Sequence, residues 1–316
     1  MFHKKNRVRG LTTILSTLAI VIGAGAVGLY PANSAGKPEP DYAYLKALGW
    51  EPMKGTLPNL ACTDKSYANA LKNGVKLGVY DAAPYMYKDK DGKLTGIDYE
   101  INLAVMKYIG IKKHTDVQLQ WPEMIPALIS KRIDVIAGDI HENPDRLKTI
   151  AFTTPAWWYG TILVVKSNNA KNVKTWADLQ TSGTKVGAIT GSFTAEYLAK
   201  LTPKVDLTLF ADSNTEFTSL AAGKVDVLVE DGPKAGEFIR NNPSSGLKIL
   251  PPATSAPPAE FQDGDAKFAM RPADCTLIGA WSRALAELRD HGVVTTILKK
   301  YGLGDGDNLF MPAYKP

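Results

Sequence analysis

Short apolar runs alternate with amphipathic stretches along most of this chain, a pattern typical of sheets flanked by helices. The apolar runs that predict strands lie at 75–80, 116–120, 133–138, 161–165, 185–189, 206–210 and 225–229. The stretches that predict helices lie at 98–109, 123–130, 193–201, 233–241 and 293–301. This alternation predicts an α/β protein built on doubly wound sheets.

Two helix predictions, one of them the helix at 98–109, rest on stripes of apolar residues at helical spacing. The first stripe, within 98–109, comprises Ile101, Ala104, Val105 and Tyr108. The second, towards the C-terminus, comprises Leu277, Ile278, Trp281, Leu285 and Leu288. Both stripes are expected to pack against a sheet.

Candidate chemistry begins where the strand at 133–138 ends. Asp139 follows that strand at once, and ligands of open α/β sheets bind beyond the carboxyl ends of strands. Asn143 and Pro144 predict a helix start, with an N-cap followed by proline at the first helical position. Arg146 would lie in the first turn, where a guanidinium beside free N–H groups can bind a carboxylate. The alternative is an ordinary arginine paired with a surface acid.

Two later positions carry complementary chemistry. Ser192 opens the helix that follows the strand at 185–189, and its hydroxyl with the free amides offers an anion site. Asp231 follows the strand at 225–229, where a carboxylate can accept a charge-assisted hydrogen bond from an ammonium group. Asp231 could equally serve as the N-cap of the next helix.

The N-terminus predicts a secretory signal peptide at 1–35. It has a basic start, an apolar stretch at 11–29 and a small-residue cleavage site at 32–35. The apolar stretch is also long enough for an uncleaved anchor. Cleavage would remove four basic residues and no acidic one, which lowers the formal net charge from +5 to +1. With no basic stripe left, nucleic acid is not an expected partner.

The chain has two cysteines, Cys62 and Cys275. In an oxidising compartment we expect them to form a disulfide. They can pair only if the C-terminal segment returns to the first part of the fold. The extension at 36–70, with one predicted short helix at 42–48, would wrap over that part.

Several segments, in their order and spacing, resemble a known family. They are 75–87 (VKLGVYDAAPYMY), 92–104 (GKLTGIDYEINLA), 121–128 (WPEMIPAL), Asp134, Arg146 and 152–155. Together they are similar to the extracytoplasmic solute-binding proteins of ABC transporters that take up polar amino acids. The resemblance implies a two-lobed type II periplasmic-binding-protein fold, each lobe a doubly wound sheet with helices on both faces, joined by two crossover hinges. It places lobe 1 at 36–158 and 270–316 and lobe 2 at 159–269.

The resemblance also implies roles for residues around the cleft. Arg146 and Ser192 would hold a carboxylate, Asp231 an amine, and Trp121 with Tyr85 the side chain of the ligand. The remaining candidates are Tyr80, Asp139, His141, Thr190 and Phe193. Trp121 could instead be buried beneath its helix, and Tyr85 could pack on the lobe.

This chain departs from the family at two cleft positions. Asp139 stands where relatives often have glycine, and His141 stands where they have a small or hydroxyl residue. The additional acid favours a ligand with a cationic side chain. The alternative is an internal pair, Asp139 or Glu142 with His141, that fixes the loop.

The favoured function is therefore a periplasmic, monomeric binding protein that delivers an amino acid or an amine-bearing carboxylate to a membrane permease. The first alternative is an exported cyclohexadienyl dehydratase, an enzyme on the same fold, with His141, Glu142 or Glu230 as general acid. A second alternative is a sensor domain for a signalling partner. No nucleophile triad, metal-ligand cluster or phosphate loop is present in the sequence, and no cofactor is expected.

Overall fold

The computed structural model describes residues 62–258, 261 and 264–304. The predicted signal peptide and the predicted helix at 42–48 lie outside this part of the chain. No helix within the described residues combines the length and apolar character needed to cross a membrane.

The helices and strands are numbered here in chain order. The helices are α1 Ser66–Asn73, α2 Ile97–Tyr108, α3 Met124–Ile129, α4 Phe193–Leu198, α5 Ser213–Ala221, α6 Gly232–Asn241, α7 Pro252–Ser255, α8 Cys275–Asp290 and α9 Val293–Lys300. The strands are β1 Val75–Val79, β2 Tyr87–Lys88, β3 Leu94–Thr95, β4 His114–Gln118, β5 Val135–Ile136, β6 Ala151–Phe152, β7 Trp157–Trp158, β8 Thr161–Lys166, β9 Lys185–Ile189, β10 Asp206–Phe210, β11 Val227–Asp231, β12 Leu247–Ile249, β13 Asp265–Ala266 and β14 Ala269–Met270. Short 3₁₀ helices occupy Trp121–Glu123, Arg146–Lys148, Trp176–Gln180 and Pro243–Ser245.

Two five-stranded sheets form the framework, which confirms the expected α/β fold with two sheets. The first sheet has the order β4-β1-β5-β14-β6, with β1 parallel to β4 and β5, and β14 antiparallel to β5 and β6. The second has the order β10-β9-β11-β8-β12, with β9 parallel to β10 and β11, and β8 antiparallel to β11 and β12. The parallel strands of each sheet end at one edge, which is where a cleft can form.

The chain passes between the sheets twice, and the two passages run side by side. Strand β7 leads out of the first sheet and pairs antiparallel with β13, which leads back. In this pairing Trp158 faces Asp265 and Trp157 faces Ala266. The segments predicted as hinges thus form a short two-stranded connection, and the lobe boundaries stay a prediction.

The core of the first sheet is completed by the C-terminal helices. The second predicted stripe is correct, since Leu277, Trp281, Leu285 and Leu288 of α8 are buried there. The first stripe is partly wrong, because Tyr108 is 53% exposed at the end of α2.

The predicted disulfide is confirmed. Cys62 and Cys275 are joined, with their Cα atoms 5.4 Å apart, so the C-terminal segment does return to the first sheet. Asp64 strengthens this junction, because its carboxylate accepts a hydrogen bond of 2.9 Å from the main-chain N–H of Thr276 at the start of α8.

Candidate functional site

A cavity of ≈ 620 Å³ lies where strands of both sheets end. Tyr80 follows β1, Asp139 follows β5, Ile189 ends β9 and Asp231 ends β11, and all four residues line the cavity. Eight of the ten predicted site residues are among its lining residues: Tyr80, Trp121, Asp139, His141, Arg146, Ser192, Phe193 and Asp231. The positions that the sequence pattern placed at strand ends therefore come together in space.

Arg146 is buried at 5% exposure and is held by both lobes. Its Nη1 donates to the carbonyl of His141 at 2.8 Å, and its Nη2 donates to the carbonyl of Gly191 at 3.1 Å. Nη2 also contacts Oε1 of Glu196 at 3.1 Å. The Nε–H group is buried and has no partner among the described residues. Arg146 is thus paired with an acid and still presents an unused donor, as a carboxylate site requires.

The helix predicted to start at Asn143 is not an α-helix. The turn is only a 3₁₀ helix, Arg146–Lys148, because Ile150 enters the core and Ala151 already belongs to β6. The predicted cap is nevertheless present. The side-chain oxygen of Asn143 accepts from the main-chain N–H groups of Asp145 at 3.0 Å and of Arg146 at 2.8 Å.

Asp231 occupies the N-cap position of α6 without using its side chain as a cap. Its Oδ2 lies 3.2 Å from Nζ of Lys234, one turn further along the helix. The same ammonium group lies 2.6 Å from Oε1 of Glu230. Burial lowers the pKa of Lys234, but the carboxylates of Asp231 and Glu230 raise it by more than that. Lys234 therefore stays charged within the wall of the cavity.

Behind this wall Glu216 is fully buried. Burial, and then the neighbouring charge of Glu230, raise the pKa of Glu216 well above its usual range.

Asp139 forms a second polar cluster on the other side of the cavity. Its carboxylate accepts a hydrogen bond from the hydroxyl of Tyr80 at 3.0 Å and one from the hydroxyl of Tyr159. Burial, and then the charge of Asp98, raise the pKa of Asp139 well above its usual range. A cation placed in the cavity would stabilise the ionised form of this carboxyl group.

The hydroxyl of Tyr159 links His141 with Asp139. The hydroxyl of Tyr159 lies 2.7 Å from Nε2 of His141, and Nδ1 of His141 lies 3.2 Å from the carbonyl of Asp265 in β13. Glu142 instead pairs with Lys267 at 2.9 Å. The direct internal pair considered from the sequence is therefore absent from the described contacts, and Tyr159 replaces it as the link.

Aromatic rings form much of the remaining wall. The rings of Tyr80 and Trp121 are 5.2 Å apart, and those of His141 and Phe193 are 5.7 Å apart. The indole N–H of Trp121 donates to the carbonyl of Gly191 at 3.1 Å, a contact between the two lobes. Gly191 has a φ of +72°, a conformation that glycine adopts without strain. Trp121 is thus exposed to the cavity rather than buried beneath its helix.

Ser192 uses its hydroxyl oxygen locally, since it accepts from the main-chain N–H of Ala195 at 3.0 Å as the N-cap of α4. Its hydroxyl proton remains available to a ligand.

Two predicted site residues are not among those that line the cavity. Tyr85 lies beneath the wall at 1% exposure, with its hydroxyl unpaired among the described residues. The main chain of Thr190 donates to the carbonyl of Phe210. Their direct contact with a ligand stays a prediction.

Lys234 also lines the cavity, and the sequence prediction did not include it. The signal for Lys234 was its position one turn after Asp231, on the same side of the helix. Tyr159 belongs to the aromatic run Trp157, Trp158 and Tyr159, for which the sequence leaves open a place in the wall or packing between the lobes, and it lines the cavity. Tyr159 acquires its role from contacts with the distant residues Asp139 and His141.

One cluster in the described part of the chain has the spacing of metal ligands, and it comprises Cys62, Asp64 and Cys275. The two sulfur atoms are joined to each other, so they do not supply thiolate ligands.

Comparison with known proteins places this geometry in context. The sequence of residues 75–304 matches the family model of the bacterial extracellular solute-binding proteins, family 3. The L-cystine-binding protein TcyJ of Escherichia coli (strain K12) is 28% identical over 218 residues, or 69% of this chain and 78% of that protein. The lysine/arginine/ornithine-binding periplasmic protein of Escherichia coli (strain K12) is 29% identical over 250 residues, or 78% of this chain and 93% of that protein.

A solved structure is also similar. It is that of the ancestral amino acid-binding protein AncCDT-1, a precursor of cyclohexadienyl dehydratase. The TM-score is 0.66 with 25% identity, and the match covers 75% of this chain and 99% of that chain.

Proposed function

This chain belongs to family 3 of the bacterial extracellular solute-binding proteins, and from this membership we propose that its cavity binds an amino acid for an ABC importer. The single observation that carries the proposal is the buried guanidinium of Arg146 at the cavity wall, with its Nε–H unpaired among the described residues. A ligand carboxylate would complete the hydrogen bonds of this group.

The ligand amine would bind Asp231 on the opposite wall. Lys234 contacts Oδ2 of Asp231, which leaves Oδ1 for an ammonium group. The hydroxyl of Ser192 would donate to the ligand carboxylate beside Arg146. The two ends of an amino acid would then be held by side chains from different lobes, which couples binding to closure.

The ligand side chain would be cationic. The cavity is lined by six acidic residues, Asp81, Asp139, Asp212, Glu230, Asp231 and Glu237, and by two basic ones, Arg146 and Lys234. The rings of Tyr80 and Trp121 add π-faces that attract a cation. A basic amino acid such as L-arginine or L-lysine matches this excess of negative charge, and one relative is named for binding such ligands.

The protein would act outside the cytoplasm as a monomer and deliver its ligand to a membrane permease. The N-terminal basic and apolar segments support export through a cleaved signal peptide. This location agrees with the disulfide between Cys62 and Cys275.

We further propose that the cavity binds without catalysing a reaction. The relatives are named as binding proteins, and AncCDT-1 is named as an amino acid-binding precursor of a dehydratase. Prephenate and L-arogenate offered to the purified protein should remain unchanged. Formation of phenylpyruvate or phenylalanine would instead establish the enzyme.

A thermal-shift screen of the mature chain tests the binding proposal, because a ligand specific for the folded state raises the melting temperature. The panel comprises the twenty L-amino acids and two analogues of L-arginine. Agmatine lacks the carboxylate, and 5-guanidinopentanoate lacks the α-amine. Stabilisation by L-arginine or L-lysine and not by either analogue supports the proposal. Stabilisation by no amino acid would refute it.

A further inference from the structure

Glu196, on α4 of the second lobe, contacts two residues of the first lobe with one carboxylate. Its Oε1 accepts from Nη2 of Arg146 at 3.1 Å, and its Oε2 accepts from the side-chain amide of Asn143 at 2.6 Å. No sequence pattern marks Glu196 as a site residue, and it is not among the residues that line the main cavity. It lies in a separate groove behind Arg146, together with Ile125 and Lys200.

The contacts of Glu196 and Asn143 form one continuous chain of hydrogen bonds. The side-chain oxygen of Asn143 accepts hydrogen bonds from the main-chain N–H groups of Asp145 and Arg146. Its amide nitrogen must therefore point away from that turn, towards Glu196. One carboxylate thus fixes both the guanidinium of Arg146 and the turn that presents it.

We propose that Glu196 is a positioning residue that closes the cleft behind the ligand, a proposal that rests on the binding function above. Its two hydrogen bonds join the lobes, so they exist only when the lobes are closed. They raise the population of the closed state and orient the arginine without touching the ligand. Loss of Glu196 should therefore lower the affinity for every ligand by the same factor, so the order of ligands by affinity should not change.

The arrangement of donors and acceptors gives a sharp test. In Glu196→Gln the oxygen of the new amide still accepts the hydrogen bond from Arg146. The amide nitrogen then faces the side-chain nitrogen of Asn143, and because both are donors this hydrogen bond is lost. Asn143→Asp alone places two carboxylates opposite each other. The double variant, Glu196→Gln with Asn143→Asp, restores both hydrogen bonds, keeps the net charge and keeps the cap of the turn.

The first measurement is the affinity and the dissociation rate of L-arginine for the four proteins of this cycle. Each single variant should bind roughly tenfold more weakly, through faster dissociation, because a hydrogen bond to a charged group is lost. The double variant should return to within about threefold of the wild type. Glu287→Gln, a change of the same kind in a 44% exposed acid on α8, serves as the control and should bind normally.

The second measurement needs no ligand, so it separates this proposal from the binding proposal. Spin labels at Lys112→Cys and Lys204→Cys, two exposed positions before β4 and β10, report the distance between the lobes. The ligand-free double variant should share the wild-type closed population, and each single variant should lose part of it. Unchanged distances and affinities in Glu196→Gln, or additive losses in the double variant, would overturn the proposal. Absence of L-arginine binding in the wild type, with the distance pattern intact, would instead refute only the proposed ligand.

Discussion

The main-chain N–H of Asp139 donates a hydrogen bond of 2.9 Å to Oδ2 of Asp98, so two buried acids lie side by side beneath the cleft. The indole of Trp157 donates to the other oxygen of Asp98 at 3.0 Å. Burial raises the pKa of Asp98 to about 6, and it also raises the pKa of Asp139. The folded protein therefore holds a proton here that the unfolded chain has released.

This pair predicts that the ligand-free protein becomes more stable as the pH falls from 7 to 5. A carboxyl group whose pKa is higher in the folded than in the unfolded state stabilises the fold when it is protonated. This contribution is complete below the pKa of the unfolded state. It is lost as the pH rises through the folded-state pKa, which is about 6 for Asp98. The expected slope is about 0.7 kcal/mol per pH unit near pH 6, because a group with this folded pKa is then half protonated in the folded protein and ionised in the unfolded chain. Urea unfolding at several pH values measures it.

Asp139→Asn should flatten this slope, because a neutral amide neither binds the proton nor repels Asp98. Asp206→Asn, in an exposed residue at the start of β10, is the control and should keep the wild-type slope. An equal pH dependence in wild type and Asp139→Asn would contradict the assignment of the proton to this pair.

Lys234→Met should destabilise the second lobe by about 3 kcal/mol, because it leaves Asp231 and Glu230 in the wall without their cation. Lys300→Met is the matched control, since its partner Glu100 is also an acid but Lys300 is 57% exposed. That change should cost less than about 1 kcal/mol. Free energies of unfolding from urea titrations compare the two, and similar losses would show that Lys234 is not a buried partner.

Reduction of the disulfide should lower the stability by about 2–5 kcal/mol, because Cys62 and Cys275 are separated by 213 positions in sequence and their link restricts the unfolded chain. The variant with both cysteines replaced by serine should melt at a lower temperature than the wild type. Adding a reductant should lower the melting temperature of the wild type and leave that of the variant unchanged. A wild type insensitive to reductant would contradict this contribution.

The sequence was sufficient to predict features that depend on neighbouring residues. Buried strands of α/β sheets are short apolar runs, so the ends of β5, β9 and β11 could be approximated, and with them Asp139, Ser192 and Asp231. The resemblance to a family then supplied the expectation that these ends face one cleft. Their shared cavity agrees with that expectation.

Features that depend on contacts between distant segments could not be predicted. The ammonium group of Lys234 lies 5.8 Å from the ring of Tyr85, a residue far from it in the sequence. The helix expected after Asn143 is short because Ile150 is drawn into the core, which no local signal revealed. Glu196 resembles an ordinary acid in the first turn of a helix until α4 meets the opposite lobe.

The most direct test of the account is a calorimetric titration of L-arginine and agmatine into the wild type and Arg146→Ala. The wild type should bind L-arginine at least about a hundredfold more tightly than agmatine, because a buried guanidinium pairs with the carboxylate that agmatine lacks. Arg146→Ala should remain folded and lose this preference. Equal affinities of the wild type for both ligands, or an Arg146→Ala variant that still prefers L-arginine, would contradict the proposed carboxylate site.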